Sequence, residues 1–205
     1  MIRYNAIQIG TQYHLDRADL SIQNQDNLMS VPEECDMNSN NRPVAVVIGA
    51  TSKWQSDGRN TRLIHGENVD DSDLPVGVRW GVGGAIAQKF AQEGFFVVLT
   101  TRTSSNASKL QEAIVESGGD SMIVELDLVS SDSISNAFSQ IREQAGEPEV
   151  LVYNAGYIEG RDLPPEQELL EHIPLEMLET AQHISVRGPF LVAKEVMPSM
   201  RKRGQ

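Results

Sequence analysis

An α/β fold, a doubly wound parallel sheet, is what the sequence of this 205-residue chain predicts. Three observations carry the expectation. From residue 43 onward, short runs of β-branched and apolar residues alternate with segments of helical period. The runs are continuously apolar, as in strands buried on both faces. The order is β-α-β-α-β-α-β-α, with helical segments of about 10–15 residues. Right-handed crossovers leave few topologies for such a string, and the open sheet with helices on both faces is the commonest.

Residues 1–42 precede that pattern. They are rich in Asn, Gln, Asp and Ser, with Ile7, Ile9, Leu15, Leu20, Ile22 and Leu28 dispersed without a sustained period. They read as a polar, partly disordered extension with at most one short helix or strand. They are not Arg-rich, which disfavours a targeting role. Val44 to Ile48 is a β-branched run ended by Gly49, a buried parallel strand. Residues 53–79 then interrupt. They are polar, contain Gly58, Gly66, Pro75 and Gly77, and carry Asp70, Asp71 and Asp73. A solvated loop is the reading, because no ligand-spaced partner follows the aspartates.

Helical period begins at Gly81, with Ile86 and Phe90 four apart, Ala87 and Ala91 likewise, and Gly94 as the stop. Residues 95–100 are a second strand. Ser105 or Asn106 caps a helix carrying Ala107, Leu110 and Ile114, closed by Gly118-Gly119. Residues 122–126 are a third strand. Ser130 or Ser131 caps a helix with Ile134, Ala137, Phe138 and Ile141 on one face. Residues 150–153 are a fourth strand. Pro164-Pro165 break the chain, and an apolar-periodic helix runs from about Pro174 towards Met200.

Composition narrows the partners. The formal net charge of -12 argues against nucleic acid and against an anionic membrane surface. Glu166, Glu168, Glu171, Glu176 and Glu179 read as a solvated helical face. The one cysteine, Cys35, cannot form an internal disulfide, which fits a reducing, cytoplasmic compartment. One Cys with the scattered His14, His65, His172 and His183 assembles no zinc site. No apolar run reaches the roughly 18 residues of a membrane span, and no signal pattern opens the chain.

The chemistry sits where strands end. Pro43 to Ser52 and Gly81 to Phe90, set end to end, spell strand, glycine turn and helix start, the arrangement that holds a dinucleotide pyrophosphate. Gly49 permits a backbone no Cβ could adopt. Gly81 lets the chain approach phosphates, Gly83 lets the helix pack close to the strand, and free amides at the helix N-terminus attract negative charge. About 30 residues separate the halves. Closing that longer loop costs less than about 2 kcal/mol extra. Trp54 and Trp80, the two tryptophans, stand at its ends and are expected to pack together or on a shared neighbour, clamping the stem. A lid beside the phosphates is one reading of the loop; an insertion without function is the other.

With these residues in view, the chain resembles the short-chain dehydrogenases/reductases. Gly49 followed by Gly81-Val82-Gly83 is similar to that family's G-x-x-x-G-x-G turn, split by an insertion. Arg102, after the second strand, sits where NADP-preferring members carry a basic residue. Asp127-Leu128 resembles the acidic position that meets the adenine. Asn154-Ala155-Gly156 resembles the end of N-N-A-G, with Tyr153 at the first Asn. Residues 184–190 and Met197-Pro198-Ser199-Met200 resemble the long helix that follows. The likeness covers about residues 43–205 apart from the insertion.

The resemblance implies an NAD(P)-binding Rossmann fold. It implies a cofactor set of Gly49, Thr51, Ser52, Gly81, Val82, Gly83, Arg102, Asp127, Leu128, Asn154, Ala155 and Gly156. NADP(H) is preferred over NAD(H), because Arg102 offers a planar fork to a 2′-phosphate and its threonine neighbours are not acids. Arg102 as a plain surface residue, and Asp127 as a helix-capping residue, stay open as alternatives. The implied reaction is hydride transfer between nicotinamide and a small-molecule carbonyl or alcohol.

The family's catalytic group is a Tyr, a Lys four residues on, a Ser and a helix Asn. Ser185 stands at the Asn position, and the rest is absent from these 205 residues. Tyr157 and Arg161 have the spacing, but in a loop, and Arg cannot share a proton as Lys can. Phe190 and Lys194 have it on a helix, but Phe has no proton. With later strands missing, the fold reads as C-terminally truncated, its fourth strand an apolar edge open to pairing. A second copy or another chain covering that edge is the expected partner. The alternative to a cofactor-binding portion, inactive alone, is a non-catalytic nucleotide-binding or interaction protein.

Overall fold

Val44–Ile48 forms β1, the strand around which the rest is laid. The computed structural model describes residues 42–51, 80–157 and 169–204, together with the backbone of 62–64 and 67–69. The expected extension, 1–42, falls outside the described residues apart from Arg42, which pairs with Asp120 at 2.8 Å. Val44, Val46 and Ile48 face one side of the sheet and Val47 the other, and all are buried. β1 is flanked on both sides, so it has no wet face for a polar residue to occupy.

The remaining elements follow the sequence closely. α1 spans Gly81–Gln92, β4 Phe96–Thr101, α2 Ser108–Glu116, β5 Asp120–Glu125, α3 Ser131–Gln144 and β6 Val150–Tyr153. α4, Leu175–Gln182, runs through a π-turn, His183–Arg187, into α5, Gly188–Arg203. Gly204 ends α5 in the left-handed region, φ 79°. Ser130 caps α3 as expected, its Oγ accepting from Ser133 N at 3.2 Å. The cap expected of Ser105 or Asn106 is corrected: those residues form a short 3₁₀ turn, Ser104–Asn106, and α2 starts after Ala107 with no side-chain cap.

The insertion also departs from a plain loop. Arg62–Ile64 (β2) and Glu67–Val69 (β3) form an antiparallel pair, with Leu63 opposite Asn68. Two short runs separated by a glycine-containing pair, His65-Gly66, carry a hairpin signal that polar composition masked.

The main sheet is parallel, in the order β5-β4-β1-β6. The chain builds outward from β1 through β4 to β5, then returns to the other side of β1 for β6. β1 therefore sits at the switch point, where helices leave on opposite faces, the place at whose carboxyl end open α/β sheets bind ligands. Two cores result. Val46, Ile48, Val98 and Val124 pack with Ile134, Phe138 and Ile141 of α3 and Val192 and Val196 of α5. Val47, Val97 and Leu99 pack with Ala87 and Ala91 of α1 and Leu110 and Ile114 of α2. Arg142 and Glu195 join α3 to α5 at 3.2 Å. β5 and β6 are the sheet's edges, as expected of the fourth strand. Among the described residues, no helix is long and apolar enough to cross a membrane.

Candidate functional site

The strand register brings the singled-out residues to one rim. Ile48 lies opposite both Thr100 and Tyr153, and Thr101 lies opposite Glu125. The residues that follow these ends are Gly49, Arg102, Asp127 and Asn154. Four positions scattered over about 100 residues thus share the carboxyl edge of the sheet. A shallow concavity lined by Arg42, Gln88, Gly94 and Ser117 lies at the opposite, amino end of the strands, away from this rim.

At the centre of the rim, the two halves of the glycine motif meet. Gly49 has φ 76° and Gly81 φ 70°, both in the left-handed region that favours glycine. Gly83 lies directly on the turn: a Cβ there would stand 2.4 Å from Gly49 O, 2.7 Å from Asn154 Nδ2 and 2.8 Å from Ala50 O. A Cβ on Gly49 would come within 2.7 Å of Ala155 Cα. Asn154 Nδ2 donates to Gly49 O at 2.9 Å, tying β6 to the same turn. Some 30 intervening residues have not separated the halves.

Trp80, at the N-cap position of α1, makes no side-chain capping hydrogen bond, and the first turn carries no acid. The N–H groups of that first turn have no intrahelical acceptor, and the positive end of the helix dipole favours an anion. A cradle that glycine alone can line, at the start of a helix, fits a pyrophosphate.

Other expected residues have more specific duties. Thr51 Oγ1 donates to Asn106 O at 2.7 Å, fastening the turn to the segment after β4. Val82 projects to solvent. Arg102 is exposed on that same segment. Asp127 is exposed, and its Oδ1 accepts from Val129 N at 3.0 Å in a local turn; Ser130 caps α3, so the helix-capping alternative for Asp127 is corrected. Leu128 is buried in the core, which leaves its backbone rather than its side chain to meet a ligand. No Cβ contact lies within 4 Å of Gly156. Ser185 is exposed within the π-turn. Tyr157 is half-buried against the core, the ordinary packing role. Lys194 lies 5.8 Å from the Phe190 ring. Ser52, Trp54 and Arg161 lie outside the described residues.

Three contributors escaped sequence reasoning. Thr100 Oγ1 accepts from Gly49 N at 3.2 Å and donates to Val47 O at 3.1 Å, bracing the turn from the neighbouring strand. Its signal was a hydroxyl at the carboxyl end of an otherwise apolar run. Glu125 accepts from Ser104 N at 2.8 Å, fixing the segment that carries Arg102. The Ser104 backbone N–H, helped by its hydroxyl, holds the Glu125 carboxyl below the usual range. That tie is present at neutral pH and is lost as pH falls through the lowered value.

Tyr153 is the third. Its hydroxyl donates to Ile184 O, and burial pushes its pKa up to about 12. An unfolded tyrosine ionises near pH 10. The contribution is therefore complete below about pH 10 and is lost as pH rises through about 12. Urea midpoints of the wild type are expected to fall relative to those of Tyr153→Phe between pH 10 and 12. Parallel curves over that range would show that the phenol is not protected in the fold.

Comparison with known proteins adds context to this rim. A family model described as enoyl-(acyl carrier protein) reductase matches residues 77–205. An uncharacterized oxidoreductase of Bacillus subtilis, YxjF, is 27% identical over 130 residues, 63% of this chain and 48% of that protein. The 3-oxoacyl-[acyl-carrier-protein] reductase MabA of Mycobacterium tuberculosis is 31% identical over 134 residues, 65% of this chain and 47% of that protein. A crystal structure of a metagenomic short-chain oxidoreductase in complex with NADP matches with TM-score 0.57 at 25% identity, over 77% of this chain and 56% of that one. L-sorbose reductase from Gluconobacter frateurii, complexed with NADPH and L-sorbose, matches in fold with TM-score 0.56 at 21% identity, over 80% and 49%. The chain spans about half the length of the curated relatives it matches.

Proposed function

The chain belongs to the short-chain dehydrogenase/reductase family, and from that premise we propose that it binds a nicotinamide dinucleotide, NADP(H) in preference to NAD(H), across the rim of β1. The observation that supports the proposal is the seating of Gly83 on the Gly49 carbonyl, which brings the two halves of the glycine motif together. The pyrophosphate would lie over Gly49, Gly81 and Gly83 at the start of α1, with Thr51, Ser52 and Val82 lining the turn. The adenosine would lie towards Arg102, Asp127 and Leu128, and the nicotinamide half towards Asn154, Ala155 and Gly156. When bound, the nicotinamide supplies or takes up hydride. The chain's own residues hold and orient it.

The family's reaction joins that hydride to a small-molecule carbonyl or alcohol. None of the 205 residues supplies a Tyr-x-x-x-Lys pair. The reading for this chain is therefore cofactor binding, in a cytoplasmic setting, without turnover by these residues alone. A second reading, a non-catalytic nucleotide-binding or interaction protein, is favoured by the apolar strand β6 at the sheet edge, open to pairing by a second copy or another chain. Turnover of carbonyl substrates once a longer chain is supplied separates the two.

Titration of NADPH and NADH into the full chain tests the cofactor reading. NADPH is expected to bind more tightly, and Arg102→Ala to weaken NADPH by roughly 10-fold through loss of a charge-assisted contact while leaving NADH nearly unchanged. Equal affinities untouched by that substitution would end the NADP assignment.

A further inference from the structure

Ile184 is where the C-terminal helix gives up its regular hydrogen bonding. In an α-helix its carbonyl would accept from the N–H of Gly188, four residues on. The Gly188 N–H donates instead to His183 O, as the π-turn requires. One residue further stands Pro189, which has no N–H to offer. The Ile184 carbonyl is left without a helical donor in a buried residue, and an unmet buried acceptor is costly. The Tyr153 hydroxyl meets it, donating from the end of β6. Gly188 makes room: a Cβ there would come within 2.5 Å of the phenol oxygen. Tyr153, Gly188 and Pro189, from two elements, are fitted to one contact.

The turn is tied a second time. Arg187 Nη1 donates to Val129 O at 3.0 Å, and Val129 N is held in turn by the Asp127 carboxylate. The π-turn is thereby pinned between the end of β6 and the segment after β5, both on the carboxyl rim. Tyr153 is also bonded in sequence to Asn154, which holds the Gly49 carbonyl. Exposed Ser185 follows Ile184 directly.

We propose that the Tyr153 hydroxyl is a positioning group that holds the π-turn open by capping the Ile184 carbonyl, and so sets where Ser185 stands against the nicotinamide half of a bound dinucleotide. The proposal rests on the cofactor reading above. Tyr153 touches no ligand; it acts through Ile184.

Two substitutions isolate the contact. Tyr153→Phe removes the donor and keeps the ring. Pro189→Ala supplies the backbone N–H that the π register lacks. Amide hydrogen exchange of the full chain, without ligand, is expected to rise about 10-fold at residues 183–188 in Tyr153→Phe. It is expected to return towards wild type when Pro189→Ala is added. Affinities are then measured for NADPH and for 2′,5′-ADP, which lacks the nicotinamide half. Tyr153→Phe is expected to weaken NADPH about 5-fold and leave 2′,5′-ADP unchanged, with recovery in the double variant.

Unchanged exchange would overturn the clamp. Raised exchange with both ligands weakened equally, or with neither weakened, would reduce Tyr153 to a structural contact. Wild type that binds neither ligand would overturn the cofactor reading and the ligand half of the proposal together, while the exchange arm still decides the clamp. If Tyr153→Phe does not fold, folding of the double variant supports the clamp and its failure overturns it.

Discussion

Replacing Gly83 by alanine is expected to lower stability by about 2–3 kcal/mol, within the range for overpacking a close-packed contact, and to weaken NADPH by 10-fold or more. The direction opposes helix propensity, which favours alanine over glycine by about 1 kcal/mol in a helix interior. Sterics decide. The added Cβ would meet Gly49 O at 2.4 Å and Ala50 O at 2.8 Å, and both are backbone atoms that cannot rotate aside. The first turn of α1 must slide away from the end of β1, carrying its N-terminal amides off the place where a pyrophosphate would sit. Gly156→Ala is the matched control, because a Cβ there meets nothing within 4 Å. It should leave the urea midpoint unchanged while reporting by titration whether ligand approaches that backbone. A Gly83→Ala protein as stable as wild type, with NADPH affinity intact, would mean that α1 does not rest on the glycine turn.

That joint also marks how far the sequence could be read. Strands β1 and β4 were legible because a central strand covered on both faces is apolar nearly throughout, and the edge strands β5 and β6 because each holds a short apolar run, Met122 to Val124 and Val150 to Tyr153. Reuniting Gly49 with Gly81-Val82-Gly83 across the insertion was legible because the loop-closure term grows only slowly with length. What escaped was anything fixed by cross-strand register. Thr100 braces Gly49 only because Ile48 lies opposite Thr100, and nothing local announces that pairing. The donor that Ile184 lacks follows from a π-turn and from Pro189, and helical periodicity does not distinguish a π-turn from the α-helix around it. Thr51 and Leu128, expected in the cofactor set, also carry structural duties that the sequence did not announce. Both lie at the rim; Thr51 ties two loops together and Leu128 fills the core.

Trp80→Ala is expected to have the larger effect on stability, about 3–5 kcal/mol, the range for truncating a buried aromatic. Trp80 is 7% exposed and packs with Val47, Ala50, Ala87 and Leu110, under the junction of β1, α1 and α2. It also occupies the N-cap position of α1, one residue before Gly81. The cavity therefore opens beneath the amides expected to hold phosphate, and NADPH affinity should fall along with the urea midpoint. Trp80→Phe separates the ring from its nitrogen. The indole Nε1 is buried without a hydrogen-bond partner among the described residues. Phenylalanine removes that unmet donor, worth about 1–3 kcal/mol, while giving up part of the ring's buried area, and the two changes largely offset. Trp80→Phe should thus stay within about 1 kcal/mol of wild type and keep its cofactor affinity. A Phe variant as damaged as the Ala variant would show that the indole nitrogen does have a partner, with the residues of the insertion the first place to look. Equal stability of the Ala variant and wild type would instead remove Trp80 from the support of the turn, leaving Gly83 and Asn154 to hold the two halves of the motif together.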